Sequence, residues 1–266
     1  MENAKKSSAL KSELLSRLQD VNRFSLEVHE DIGSTNDRAK ALGESAAPSN
    51  TAVVALSQSK GRGRLGRGFY SPLGGIYLSL LLRPSCDASC AGLFTAAAAV
   101  AVCRAIGELC DLQCQIKWPN DIIYDGKKAG GILTEAKLNQ QGRFEYMVIG
   151  VGLNLYAPVE GFPPELQDAT ALFGNNKSAP SYAEAAAKLL ESLDEQLAEI
   201  PDAGFLSEYR ERSMLIGRSI SAIKGGQKVA ATALCIDEAA RLIVGYPDGT
   251  EEALLSAEVS IRENGR

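Results

Sequence analysis

The chain predicts an α/β (α+β) fold followed by a small all-β unit. Three observations carry that expectation. Apolar, β-branched runs such as 51–56 and 76–82 have strand character and alternate with stretches of helical composition. Residues 88–110 are rich in alanine and aliphatics, as a mostly buried helix requires. From about Gly217 the pattern changes to short alternating strands separated by turn residues, a compact unit of SH3-barrel size. The expected organisation is a leader helix over 1–20, a main domain over 21–214 and a C-terminal SH3-like domain over 215–266.

In chain order, Leu10, Leu14, Leu15 and Leu18 suit a short amphipathic helix. Residues 24–30 alternate as a strand and run into Ile32-Gly-Ser-Thr-Asn36. Ser34, Thr35 or Asn36 is expected to cap the helix that follows. Strand 51–56 leads into a glycine- and arginine-rich loop, and strand 76–82 follows it. Residues 114–118 alternate as a strand that stops at Pro119, which has no N–H for a ladder. Residues 122–124 and 127–135 form a hairpin around Asp125-Gly126. A further strand over 142–151 ends in Gly150-Val-Gly-Leu-Asn-Leu155, whose glycine spacing is not a dinucleotide-binding fingerprint. Residues 157–180 read as a loop. Ser181 with Glu184 opens a long helix to about Ile200, and a short helix covers roughly 203–213. The C-terminal strands are expected over 218–223, 227–236, 240–246 and 251–261, with Gly225-Gly226 as the first turn.

Composition narrows the chemistry. The 266 residues are 45% hydrophobic, enough for one large core and a small second domain. A formal net charge of −5 argues against general nucleic-acid binding. His29 is the single histidine, so mechanisms needing a histidine triad or several histidine ligands have little to draw on; its strand setting reads as structural. Six cysteines and no secretory leader point to free thiols in a reducing cytoplasm. Cys86/Cys90 and Cys110/Cys114 flank the long helix, which separates them too far for one tetrahedral zinc site.

Two constellations carry chemistry. The first is residues 57–68, where Lys60, Arg62, Arg64 and Arg67 share a window with Gly61, Gly63, Gly66 and Gly68 and no acid. Such a loop brings backbone N–H groups and guanidinium forks close to an anion, and it can move. The second is Lys117-Trp-Pro-Asn-Asp121, with the chain's one tryptophan beside a lysine and two oxygen-bearing side chains. Lys127 or Lys128 then leaves a turn into an apolar strand with two glycines, where a lysine can be held over a ligand. Solvated lysines beside a hairpin are the ordinary alternative.

Together, Ser34-Thr-Asn36, Gln58 with the loop 61–67, Lys117-Trp-Pro-Asn-Asp121, Lys128-Ala-Gly-Gly-Ile132 and Gly150-Val-Gly-Leu-Asn154 resemble the biotin protein ligase family, the biotin–[acetyl-CoA-carboxylase] ligases. The resemblance runs in order from about residue 28 to 155 and continues more weakly to the C-terminal β-unit. One position departs: Leu65 stands where the family shows another arginine. Residues 1–20 are too short for the winged-helix domain of family members that repress transcription, so the expected likeness is to the short, ligase-only class without specific DNA binding.

The resemblance implies a mixed sheet backed by helices with a C-terminal SH3-like barrel. It implies an enzyme that adenylates biotin with ATP and Mg²⁺ and passes the biotinyl group to a lysine of a biotin carboxyl carrier protein. Lys128 is the expected catalytic lysine, with Arg62 and Arg64 on the biotin carboxylate, the phosphate or both. Ser34, Thr35, Asn36, Gln58, Gly61, Gly63, Gly130 and Gly131 join Arg62, Arg64 and Lys128 around biotin. Arg64, Arg67, Lys117, Trp118, Asn120, Asp121 and Asn154 are expected at ATP or AMP, and Asp121 at the magnesium ion. The loop 60–68 is expected to be mobile without ligand and ordered over the intermediate, excluding water. A cytoplasmic monomer or homodimer with no membrane association follows from the same likeness. A lipoate ligase or octanoyltransferase is the nearest rival, and a non-catalytic nucleic-acid-binding module is the rival of another class.

Overall fold

A computed structural model describes residues 2–174, 179–224, 227–254 and 262–263. Seven strands make one mixed sheet: β1 (Ser25–Ile32), β2 (Thr51–Gln58), β3 (Gly75–Leu82), β4 (Gln115–Lys117), β5 (Asp121–Tyr124), β6 (Lys127–Leu138) and β7 (Phe144–Asn154). Their order is β1-β2-β3-β7-β6-β5-β4. β1 and β2 are parallel, and every other neighbouring pair is antiparallel. A parallel pair needs a crossover, and α2 (Thr35–Glu44) supplies it.

The sheet is covered on both faces, which is why β3 reads as a continuous apolar run and is buried at all its positions. One face packs on α1 (Glu2–Arg17), the long α3 (Ala91–Cys110) and α4 (Tyr182–Ala198), and this is the main core. The stretch 88–110 is long and apolar enough to cross a bilayer, yet most of it is packed inside the protein. On the other face α2 lies over Val53, Leu81, Tyr146 and Val148. Gly43 sits directly on the Tyr146 ring, where a Cβ would come within 2.8 Å of the ring.

Strand alternation then makes room for a site. Side chains repeat every two residues on one sheet face. Along β7 the face under α2 reads Tyr146, Val148, Gly150, Gly152. The large residues support the helix, and the glycines begin where the helix N-terminus ends.

The second sheet is antiparallel throughout. It contains β8 (Ser219–Lys224), β9 (Gln227–Ile236), β10 (Leu242–Gly245), β11 (Glu251–Leu254) and β12 (Arg262–Glu263), in the order β11-β10-β9-β8-β12. The Gly225-Gly226 turn and the end of the 251–261 strand lie outside the described residues. The short helix expected over 203–213 is a tighter α5 (Leu206–Glu211). Ser181 caps α4 by accepting from the Glu184 N–H. Within the loop 157–180, Pro164–Leu166 form a single 3₁₀ turn.

All six cysteines are free, with Cys86 and Cys90 before and at the start of the 20-residue α3 and Cys110 and Cys114 at or beyond its end. A helix of that length spans about 30 Å, so the two pairs face different surroundings. Burial raises the Cys103 thiol strongly and pushes Cys114 up to about 12. His29 pairs with Glu27 on β1, away from the cleft described next.

Candidate active site

One cleft of about 1120 Å³, measured to its open mouth, gathers the motifs from five separate stretches of chain. Its floor comes from the start of α2, the end of β2 and the glycines of β6 and β7. Its walls are the basic loop and the Lys117–Asp121 turn. The cleft opens to solvent, and its lining is mostly polar.

The floor is pre-organised. Ser34 is the N-cap of α2, accepting from the Asp37 N–H at 3.4 Å. Thr35 donates its N–H at 2.8 Å and its hydroxyl at 3.1 Å to Gln58 Oε1. Gln58 Nε2 donates to Ser71 Oγ at 3.0 Å. Ser34, Thr35 and Asn36 are each under 5% exposed, so their polar groups are held by neighbours and by the cleft rather than by bulk water. The helix N-terminus adds positive potential to this end.

The cations stand against acids or amides. Arg62 Nη1 is 2.5 Å from Asp37 Oδ1, and its Nη2 is 3.0 Å from Glu135 Oε1. The bond to Asp37 holds the Arg62 guanidinium above its ordinary value. Burial alone would raise Asp37, but Lys40 and Arg62 together bring it below the ordinary carboxylate range. Arg64 Nη1 donates to Asn120 Oδ1 at 2.8 Å, and burial draws Arg64 below its ordinary value. Lys128 Nζ lies 2.5 Å from Asp121 Oδ1. Arg67, Lys117 and Trp118 also line the cleft. The Trp118–Pro119 peptide is cis.

The basic loop carries local structure. Arg62 bridges Gly68, and a 3₁₀ turn covers Arg64–Gly66. Leu65 occupies the left-handed region at φ 56°, with its side chain exposed at the mouth.

Three expected residues fall outside the lining. Asn154 ends β7 pointing at another loop, where its Nδ2 donates to Thr170 O at 3.0 Å. It anchors the segment that pairs with Lys128, since Lys128 N donates to Asp168 O and Thr170 N donates to Lys128 O. Gly130 faces Gly152 O, where a Cβ would come within 2.7 Å. Gly61 is packed against Phe69 O and Ser71 Oγ, so its lack of a side chain lets the two ends of the loop meet. Gly63 and Gly131 do line the cleft.

Sequence reading passed over Ser79, Glu135, Asp37 and Ser71. Ser79 carried a signal: besides the Tyr77 phenol it is the one polar side chain in the last seven residues of an otherwise apolar strand, and a fully buried hydroxyl requires partners. Its Oγ lies 2.6 Å from Asn36 Oδ1 and 2.8 Å from Thr35 Oγ1.

Comparisons with known proteins agree with this geometry. Residues 28–154 match the biotin/lipoate A/B protein ligase family. The biotin–[acetyl-CoA-carboxylase] ligase of Mycobacterium tuberculosis is 33% identical over 226 residues, 82% of each chain. The bifunctional ligase/repressor BirA of Bacillus subtilis is 42% identical over 146 residues, which cover 54% of this chain. The chain thus spans less than half, 45%, of that relative's length. The biotin protein ligase from Aquifex aeolicus in complex with biotin and ATP superimposes with a TM-score of 0.75 at 26% identity, covering 90% of this chain and 99% of the other. Identity across four-fifths of a full relative, with the same fold and the motif residues converging on one cleft, decides the matter: the chain belongs to the biotin/lipoate A/B protein ligase family, among its biotin protein ligases.

Proposed function

We propose that this chain is an ATP-dependent ligase that converts biotin to biotinyl-5′-AMP and transfers the biotinyl group to a lysine of a biotin carboxyl carrier protein in the cytoplasm. The observation that carries the reading is the polarity of the cleft. Hydroxyl and carboxamide groups of Ser34, Thr35 and Gln58 line one part of it, and Arg62, Arg64, Arg67, Lys117 and Lys128 line the rest. A ureido ring with N–H donors and a C=O acceptor suits the first set. A carboxylate meeting a triphosphate needs the second.

In the first step a biotin carboxylate oxygen attacks the α-phosphorus, a P–O bond forms, and pyrophosphate leaves with the electrons of the broken P–O bond. Two anions approach each other, so fixed cations and donors supply the main stabilisation. We assign this role to Lys128 and Arg64, which line the cleft, with Arg62 becoming available when it exchanges Asp37 and Glu135 for the ligand. In the second step the carrier lysine's neutral amine attacks the acyl carbon, an amide forms and AMP departs. Asn120, Asp121, Arg67 and Trp118 form the nucleotide side, while Asn154 supports it from behind through the 168–170 segment. The loop 60–68 closes over the anhydride and keeps water from it.

Magnesium fits as a companion of the nucleotide. No group of three or more Asp, Glu, His or Cys side chains among the described residues could hold a metal by itself. Mg²⁺ binds through one or two carboxylates plus substrate phosphates and water, and Asp121 is the carboxylate on the cleft lining. When bound, the ion would neutralise phosphate charge.

The test is ATP–pyrophosphate exchange with purified protein and Mg²⁺, comparing biotin, lipoate, octanoate and no acid. Exchange that requires biotin is expected. Exchange supported by lipoate or octanoate instead assigns the chain to the sister activity, and no exchange with any acid overturns the adenylation mechanism.

A further inference from the structure

Ser79 and Glu135 do not line the cleft, yet both join a chain of hydrogen bonds, completed by one ion pair, that runs beneath it. The chain begins at one end of the basic loop. Arg62 is held at 3.0 Å by Glu135 Oε1, and Glu135 Oε2 accepts from Asn36 Nδ2 at 3.0 Å. Asn36 Oδ1 and Thr35 Oγ1 share the Ser79 hydroxyl. Thr35 donates to Gln58, Gln58 donates to Ser71, and Ser71 Oγ donates to Phe69 O at 2.9 Å. Phe69 is the other end of the loop, and its N–H donates to Gly61 O at 2.9 Å, beside Arg62. The bonds therefore close into a ring that holds both ends of the loop and passes under the cleft floor.

The weak point of the ring is chemical. Ser79 has one proton and two acceptors, so it donates to Asn36 Oδ1 or to Thr35 Oγ1 but not to both. A ligand that engages the Thr35 hydroxyl or Gln58 changes which acceptor needs the Ser79 proton. The change passes to Asn36, then to Glu135, and so to the carboxylate that holds Arg62. Gly150 keeps this relay tight, because any side chain there would collide with the Asn36 carboxamide. Buried polar networks of this kind are fully effective only when every member is satisfied.

We infer that Ser79 and Glu135 are positioning residues that couple occupation of the cleft floor to release of Arg62 and closure of the basic loop. The inference rests on the floor being the biotin-head site, and it names the device by which that site regulates its own lid.

The experiment uses the full chain with Ser79→Ala and Glu135→Gln, both close to isosteric. Trypsin cleavage within residues 60–67 is followed by mass mapping, without ligand and at saturating biotin, and biotin affinity is read by titration calorimetry. Without ligand, Glu135→Gln should raise loop cleavage about fivefold, because Arg62 loses one of its charged partners. Ser79→Ala should lower biotin affinity by roughly three- to tenfold, the scale of one lost buried hydrogen bond. At saturating biotin Ser79→Ala should keep less than about half of the wild-type protection of the loop, whereas Glu135→Gln, whose Arg62 is already released, should be protected as fully as wild type. Cleavage confined to the loop separates its release from global unfolding, and Ser79→Cys is read instead if Ser79→Ala does not fold. Ligand-free cleavage of Glu135→Gln within about twofold of wild type overturns the ring, since one charge-assisted bond is worth more than that. Full biotin protection in Ser79→Ala overturns the coupling. Faster cleavage in Glu135→Gln, with a wild-type chain indifferent to biotin, keeps the ring and removes the biotin reading of the floor.

Discussion

Lys128 Nζ lies 2.5 Å from Asp121 Oδ1 across a hairpin whose register slips by one residue between Ile122 and Ile123. Ala129 is the extra residue: Ile122 faces Gly130, and Ile123 faces Lys128. A bulge bends a strand and re-aims its side chains. Here it brings the ammonium to the carboxylate that shares the cleft with it, and both groups remain partly open to solvent.

Lys128→Ala should therefore leave the fold intact and remove the chemistry. The exposed ion pair itself contributes no more than about 1 kcal/mol, so the urea midpoint should hardly move. Biotin-dependent ATP–pyrophosphate exchange should fall by roughly 10²–10³-fold, the scale of losing one transition-state donor. Lys128→Arg should recover little of it, because a planar fork does not replace a compact ammonium at a crowded oxygen. Exchange within about tenfold of wild type in Lys128→Ala would place the main stabilising charge elsewhere.

Gly150→Ala should damage binding from beneath. The added methyl would overlap the Asn36 carboxamide, which is tied to Ser79, Glu135 and Leu133 O. Overpacking of this kind costs about 1–3 kcal/mol, so the chain should fold with a lower urea midpoint. The KM for biotin should rise more than the KM for ATP, because Asn36 adjoins Thr35 and not the Lys117–Asp121 turn. Steady-state kinetics with each substrate varied separately decides it; equal changes in both would point to a general loss of structure.

Much of this site was legible in the sequence, for physical reasons that also mark the limit. Arginines among glycines, and a lysine after a tight turn, are local signals. A helix cap among Ser34, Thr35 and Asn36 and a turn at Asp125-Gly126 follow from backbone preferences of those residues; Ser34 takes the cap, and the turn forms. Strands defined by apolar alternation were found to within a few residues. What sequence could not give is pairing. Glu135 is 73 residues from Arg62, and Ser79 is 43 from Asn36, and only the β3-β7-β6 arrangement brings them together. Asn154 lies by alternation on the same face of β7 as Gly150 and Gly152, but at the strand's end its Nδ2 donates to Thr170 O, a partner that no local signal announces. The Arg62–Asp37 pair was hidden because a loop cation gives no sign of which acid it will meet.

Glu208 should make stability depend on acid. It joins α5 to α3 and to the segment before β8, with Oε2 2.7 Å from Arg104 Nε and Oε1 2.7 Å from Arg212 Nη2. Burial alone would raise its pKa, but the hydrogen bonds from Arg104 and Arg212 bring it below the ordinary glutamate value. A depressed carboxyl binds its proton more readily in the unfolded chain, so its contribution is complete above the unfolded value, about pH 4.3. It drains as pH falls through the lower folded value. Glu208→Gln should cost about 1 kcal/mol at pH 7, and the gap from wild type should narrow below about pH 4. Urea unfolding from pH 7 to 3.5 reads this directly; a gap that stays constant over that range would mean that the charge contributes nothing.

Trp118 links the Lys117–Asp121 wall of the cleft to the C-terminal sheet. Its indole is 5% exposed, and Nε1 donates to Ala240 O at 2.9 Å. Ala240 holds a left-handed conformation, φ 59°, in a turn fixed by Asp237, whose Oδ1 accepts from the Ala239 and Arg241 N–H groups. The carbonyl is therefore presented by a rigid turn rather than by a flexible tail. Two residues beyond Trp118, Asn120 accepts from Arg64 and donates to Ile132 O, so the position of the Lys117–Asp121 turn fixes an arginine of the loop. Trp118→Phe keeps a ring but leaves a buried carbonyl without its donor, at about 1–3 kcal/mol. Urea unfolding should show that loss. Because the turn forms the proposed nucleotide wall and not the floor, the KM for ATP should rise severalfold while biotin affinity, read by calorimetry without nucleotide, stays near wild type. A stability loss with the KM for ATP unchanged would confine the tryptophan to holding the two sheets together.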